Sequence, residues 1–168
     1  MADPLEADLA VVNTLDPSMR SYIQTGGRLL LLADHAEALK SGGVGFPELT
    51  LALKDHVYYM KGDWISCFSW IKRSGPFSEL PGGPLVDRSP SCCQPRYVFE
   101  GISPWEYEAH VYAGVFIGWL IHPTVIVGER RYGKGKFIFS TFRVLAEPAQ
   151  GDPAAIALLD ALIQWGLK

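Results

Sequence analysis

The run RLLLLA at residues 28–33 constrains this chain more than any other stretch. Leu29 to Ala33 are all apolar, so both faces of a strand formed there must be covered. Such strands belong to sheets with helices packed on both sides, where neighbouring strands run parallel. The residues upstream agree. DLAVVN at 8–13 is a short apolar run of strand type, and DPSMRSYIQTGG follows with the grammar of a helix. Asp16 is placed as the N-cap, Pro17 at the first helical position and Gly26-Gly27 as the stop. Met19, Tyr22 and Ile23 recur at i, i+3 and i+4, which gives that helix one apolar face. Strand, helix and strand in this order predict a right-handed parallel crossover.

The middle of the chain is less uniform. HAEALKSGGVGF reads as a short helix or turn running into a glycine-rich loop. PELTLALKDHVYYM fits two templates, a helix on Leu49, Leu53 and Val57 or a strand on the alternation LTLAL. In GDWISCFSWIKRSGPFSELPGGPL, residues 62–85, Asp63 is a good N-cap, and Trp64, Cys67, Phe68 and Ile71 follow at helical spacing. A helix is predicted there, ended by Gly75-Pro76. From residue 96 the pattern turns to strands: RYVFEGI, HVYAGVFIGWLI, TVIVGERRY and GKFIFSTF, with YGKGK as a hairpin connection. The last segment, GDPAAIALLDALIQWGLK, repeats the helix grammar with Asp152 as cap and Pro153 in the first turn. Its predicted apolar stripe is Ile156, Leu159 and Ile163, widened by Leu162. No internal repeat or linker appears, so residues 1–168 read as a single domain.

Charge and composition exclude some functions. Apolar residues make up 48% and charged residues 20% of the chain, which is ordinary for a globular domain of a size that buries its own core. The net charge is −3, and the basic runs Lys72-Arg73 and Arg130-Arg131 are short. Nucleic acid, which requires a concentrated basic face, is therefore not an expected partner. A membrane is not expected either: VYAGVFIGWLIHPTVIVG is interrupted by Gly114, Gly118, His122 and Pro123 and reads as two strands. The acidic N-terminal segment MADPLEADLAVV lacks the basic start of a secretion signal. The three cysteines, Cys67, Cys92 and Cys93, make neither a disulfide framework nor a metal-ligand spacing. Reduced thiols, a cytoplasmic setting and no cofactor are the expectations.

Few residues carry chemistry. GKGK at 133–136 precedes a strand and lacks the spacing of a phosphate loop, so it reads as a turn. After RLLLLA, where an α/β enzyme may place a nucleophile elbow, stand Ala33, Asp34, His35 and Ala36. Cys67 has apolar neighbours and reads as a structural thiol rather than a nucleophile. Glu79, Asp87, Glu100, Glu106 and Glu108 fall in or near loops, and nothing singles out a catalytic pair among them. Trp64, Trp70 and Trp105 stand beside glycine- and proline-rich loops. They serve either as packing or as flat faces for sugar rings. Trp70, Lys72, Arg73 and Trp105 form the candidate saccharide-binding set, with the two cations matched to hydroxyls or a uronate carboxylate.

Three stretches carry a resemblance: GDWISCFSWIKRSGPFSELPGGPLVD, then PWEYEAHVYAGVFIGWLIHPTVIVGERRYGKGKFIFSTFRV, then DPAAIALLDALI. Together they look similar to the C-terminal class I glutamine amidotransferase-like domain of bacterial family two glycoside hydrolases, a family of β-galactosidase-like and β-glucuronidase-like enzymes. The likeness spans about residues 8–166. It implies an α/β fold: a flavodoxin-like or amidotransferase-like, mainly parallel sheet flanked by helices, with an antiparallel, β-rich C-terminal half. It also implies that the catalytic glutamates belong to a barrel outside this chain. Amidotransferase relatives carry a cysteine on the elbow and a His-x-Glu pair near the end. The matching positions here are Ala33-Asp34-His35 and STFRV, with Phe142 and Arg143, so no catalytic residue is expected.

The implied role is a non-catalytic accessory domain, excised from a longer glycosidase and serving packing, oligomerisation or substrate gating. The implied partners are the parent's catalytic barrel, a saccharide and a second copy of the domain. The resemblance implies a strand, helix and second strand before DLAVVN; either they are absent, which leaves a sheet edge open to a partner, or the rest of a longer polypeptide supplies them. A carbohydrate-binding module and a thiol or amidotransferase-type enzyme are the alternatives.

Overall fold

The structure, a computed structural model, describes residues 7–39, 51–55, 67–80, 93–117, 122–146 and 149–168. Strand β1 (Ala10–Val12), helix α1 (Met19–Gln24) and strand β2 (Arg28–Leu32) form the expected unit, with β1 and β2 parallel and Ala10 opposite Leu29. Asp16 is not the N-cap: the helix starts two residues later than predicted, with Ser18 in the cap position. The Asp16 Oδ1 accepts from Ser18 N at 2.8 Å, and the helix proper begins at Met19. Tyr22 and Ile23 are buried, as their spacing requires.

The remaining strands are β3 (Ala52–Asp55), β4 (Cys67–Ile71), β5 (Tyr97–Glu100), β6 (Val111–Ile117), β7 (His122–Tyr132) and β8 (Gly135–Ser140). Helix α2 (Tyr107–His110) leads into β6, and helix α3 (Pro153–Leu167) closes the described chain. Strand β8 lies beside β2 and parallel to it, with Leu32 opposite Ser140. Every other pairing is antiparallel. Among the described residues the sheet is mixed rather than mainly parallel, since two of the seven pairings are parallel. The hairpin between β7 and β8 forms at the predicted place, where Gly133 adopts φ +62, a conformation that glycine reaches without a Cβ penalty.

The long strand β7 is the junction. Val125 pairs with Gly114 of β6 and Phe99 of β5, while Val127 pairs with Ala113 of β6 and Ser140 of β8. Strand β6 therefore holds one edge of β7, and β8 and β5 share the other end to end. Beyond them, β4 pairs with β6 and β3 pairs with β5.

The predicted helix around residues 64–71 is corrected over its described part. Residues 67–71 are strand β4, with Trp70 opposite Gly114 and Ile71 opposite Ala113. Positions 64, 67, 68 and 71 satisfy a helical stripe, but aromatic and β-branched residues also suit a strand. The free edge of β6 decides between them, because its own backbone groups need a partner. Cys67 is thus on a strand, opposite Ile117, and not one turn into a helix. Gly75 and Pro76 open a short 3-10 turn, Gly75–Phe77, rather than end a helix. The two-template segment resolves as strand at β3, while residues 56–66 lie outside the described residues.

RLLLLA behaves as its composition demands. Leu29 and Leu31 join Tyr22, Ile23, Phe137 and Phe139 in one core layer, and Leu30 and Leu32 join Ile138, Leu158 and Leu162 in the other. Helix α3 is capped as predicted, with Asp152 Oδ1 accepting from Ala154 N at 2.8 Å and Ala155 N at 3.2 Å. Its buried stripe is turned from the predicted one. Ala155, Leu158, Leu162 and Gly166 face the sheet, and Ile156 is 59% exposed. A Cβ on Gly166 would lie 2.7 Å from the Leu9 side chain, so this end of the helix face needs glycine to pack as closely as it does.

Candidate functional site

The four residues predicted to meet a saccharide are placed in unlike surroundings. Trp70 is half-buried and packs on the core layer beneath α1. Its ring covers Gly114, where a Cβ would lie 2.8 Å from Trp70 Cζ2. Lys72 is held by backbone. Its Nζ donates to the carbonyl oxygens of Tyr107 and of Glu108, the latter at 2.7 Å, which places a cation on the carbonyls of α2. Partial burial lowers the Lys72 pKa, and the Glu108 carboxylate opposes that shift. The neighbouring Tyr107 phenol is pushed up to about 12 by burial and by the charge of Glu100.

Arg73 is exposed. Trp105 is 91% exposed on the 3-10 turn Pro104–Glu106. That turn is braced: Ser103 N donates to Glu106 Oε2 at 2.9 Å, and Arg130 Nη2 donates to the same oxygen at 3.0 Å. Lys72 and Trp105 therefore flank α2, while Trp70 serves the core. None of the four lines either of the two clefts described below.

A second grouping lies at the C-terminal ends of the parallel strands, where open α/β sheets place their ligands. Thr14, just past β1, has its Oγ1 3.3 Å from Nε2 of His35, just past β2. His35 Nδ1 lies 3.1 Å from Asp34 Oδ1. Hydroxyl, imidazole and carboxylate thus follow one another in the order of a nucleophile, a base and its orienting acid. Reasoning confined to the elbow positions missed Thr14, because it arrives from the neighbouring strand. Beside it the expected acid/base region is core: Ser140, Thr141 and Phe142 are buried, and Ala33 N donates to Ser140 O at 2.7 Å.

The first of the two clefts, about 220 Å³, separates α3 from the turn at Gly75. Ser78, Glu79, Asp160, Gln164 and Trp165 are among its walls. Trp165 is committed to packing. Its Nε1 donates to Glu129 Oε2 at 2.7 Å, and its ring meets Tyr112 edge-on at 5.6 Å. Burial, the charge of Glu129 and a hydrogen bond to it all raise the Tyr112 pKa.

Among the described residues, no group of three His, Cys, Asp or Glu side chains could hold a metal ion. No described helix is long and apolar enough to cross a membrane. No family model matches the chain, and no curated protein matches it. The fold and these sites define a mixed α/β domain with helices packed on its sheet.

Proposed function

We propose that this chain is a non-catalytic accessory domain of a family two glycoside hydrolase, of flavodoxin-like or amidotransferase-like kind, that docks beside a catalytic barrel. The observation that carries this reading is Trp105. An indole 91% exposed is unusual for so large an apolar side chain, and its turn is held by Ser103, Glu106 and Arg130. A pre-organised tryptophan of this kind is the usual anchor of a protein interface. The strand-end residues support the non-catalytic part, since Ala33, Phe142 and Arg143 stand where the resemblance implies a nucleophile or an acid/base pair.

The test supplies the parent's barrel in trans. Trp105→Ala weakens association by about tenfold or more, as for an anchor residue, while Lys54→Ala leaves it unchanged. The chain alone is expected to turn over neither nitrophenyl glycosides nor glutamine. Turnover lost in His35→Ala would replace the accessory reading with an enzyme built on Thr14, His35 and Asp34.

The same exposed indole favours a second reading, a carbohydrate-binding module. A saturable shift with galactose or glucuronate that vanishes in Trp105→Ala selects the module. Barrel binding without any sugar shift selects docking.

A further inference from the structure

A row of like charges crosses the sheet beneath the C-terminal end of α3. Arg28 of β2 lies opposite Lys136 of β8, and Lys136 lies opposite Arg131 of β7. Residues in direct register share a face, and like charges so placed destabilise a sheet. Around the row opens the second cleft, of about 270 Å³, to which Lys134 and Lys168 add their cations; Arg130 also lines it, but its Nη2 is held by Glu106 and the Gly101 carbonyl. Glu129 is the one carboxylate among the lining residues. Arg28, Arg131, Lys134, Lys136 and Lys168 thus outnumber the Glu129 carboxylate here, in a chain whose net charge is −3. These cations converge from separate segments and form no long basic run, so the sequence carries no sign of the group.

Part of the row has a structural duty. Arg28 Nη1 donates to Leu167 O at 2.7 Å and Lys136 Nζ to Trp165 O at 3.1 Å, which places cations on the negative end of a helix dipole. Lys136 also reaches Glu129 at 3.4 Å. Helix capping does not account for Arg131 and Lys134, which are exposed and have no ion-pair partner among the described residues. It does not account for His110 either. His110 lines the same cleft, and its Nδ1 is shut off from solvent with no hydrogen-bond partner among the described residues. A local rule broken at a polar cleft points to function rather than to packing.

We infer that this cleft binds a doubly charged tetrahedral oxyanion, phosphate or sulfate, either free or as the ester of a small molecule. Guanidinium and ammonium groups are the usual donors to such oxyanions, and arginine adds a two-point contact. An anion between Arg131 and Lys136 turns a repulsive pair into a bridged one. The cleft volume is below that of a drug-sized site, so it suits a single charged group on a small scaffold. GKGK contributes through the Lys134 and Lys136 side chains of a hairpin, not through a phosphate loop. The inference stands apart from the accessory-domain reading, since neither Trp105 nor the strand ends take part.

The full chain is titrated with inorganic phosphate, inorganic sulfate, glucose 6-phosphate and glucose 6-sulfate at ionic strength matched with chloride, following amide NMR shifts. Saturable shifts at Arg131, Lys134 and His110 are expected from at least one of the four, and the tightest arm identifies the source. Arg131→Ala with Lys134→Ala weakens binding by about tenfold or more, whereas Lys54→Ala on β3 leaves it unchanged. Both cleft substitutions are at exposed positions, and an unchanged circular dichroism spectrum confirms their fold. The inference is overturned if no arm saturates, or if the double variant binds as tightly as the native chain. Binding confined to a short oligonucleotide, with steep salt dependence, also overturns it in favour of a diffuse basic face.

Discussion

Gly114 and Trp70 show at a single contact how one tryptophan of the aromatic-rich stretch packs. Gly114 stands in the interior of β6, where a glycine weakens a strand unless something packs over it. Trp70 lies directly opposite on β4, and its ring fills the space a side chain would take. A Cβ there would also come within 2.5 Å of Thr124 O, a backbone atom with little room to yield. Gly114→Ala is therefore expected to lower unfolding free energy by about 1 to 3 kcal/mol, the usual range for overpacking, and to shift the indole N–H resonance of Trp70. Trp105→Ala, in solvent, is expected to stay within about 0.5 kcal/mol of the native chain. Equal stability of Gly114→Ala and the native protein, with an unmoved Trp70 resonance, would return Trp70 to the list of ligand platforms.

At the scale of elements, α3 gives the sharpest contrast between pattern and packing. Its cap was readable from Asp152-Pro153, but its phase was not, because Ile156 and Leu159 are as apolar as Leu158 and Leu162. The face that packs is Ala155, Leu158, Leu162 and Gly166, and at its end only glycine leaves room for the Leu9 side chain. Leu162→Ala is expected to cost about 2 to 5 kcal/mol as a buried truncation, and Ile156→Ala no more than about 0.5 kcal/mol. Urea unfolding of the two variants checks this, and the reverse order would restore the predicted stripe. The parallel unit from β1 to β2 was legible because RLLLLA admits one kind of environment, and the β7–β8 hairpin because GKG marks its turn. Strand β4 was not, since its residues fit both periods and only the edge of β6 chooses. The candidate sites were legible least. Thr14 meets His35, and Arg28 meets Lys136 and Arg131, across strands whose pairing no single segment encodes.

For the whole molecule, the fork at β7 predicts unequal stability across one sheet. Strands β2, β8 and β7 lie between two core layers, and Leu29 to Leu31, Phe137 to Phe139 and Val125 to Val127 are fully buried. Opening any of them exposes both layers at once. The pair β3–β5 is joined to β7 through a single register pair, Phe99 with Val125, and β3 itself alternates exposed and half-buried residues. Strand β1 is three residues long and, among the described residues, pairs with β2 alone. Amide protection follows the surface and hydrogen bonds lost on opening, so poorly packed units exchange without global unfolding. Native-state hydrogen exchange is therefore expected to place the amides of β2, β8 and Val125 to Val127 of β7 at the global unfolding free energy. Those of β1 and β3 should exchange through smaller openings that respond little to added denaturant. Phe99 then becomes the hinge between the two regimes, and Phe99→Ala should speed exchange in β3 more than in β2. Protection that is uniform from β1 to β3, or that falls equally everywhere in Phe99→Ala, would mean that the branches unfold as one unit.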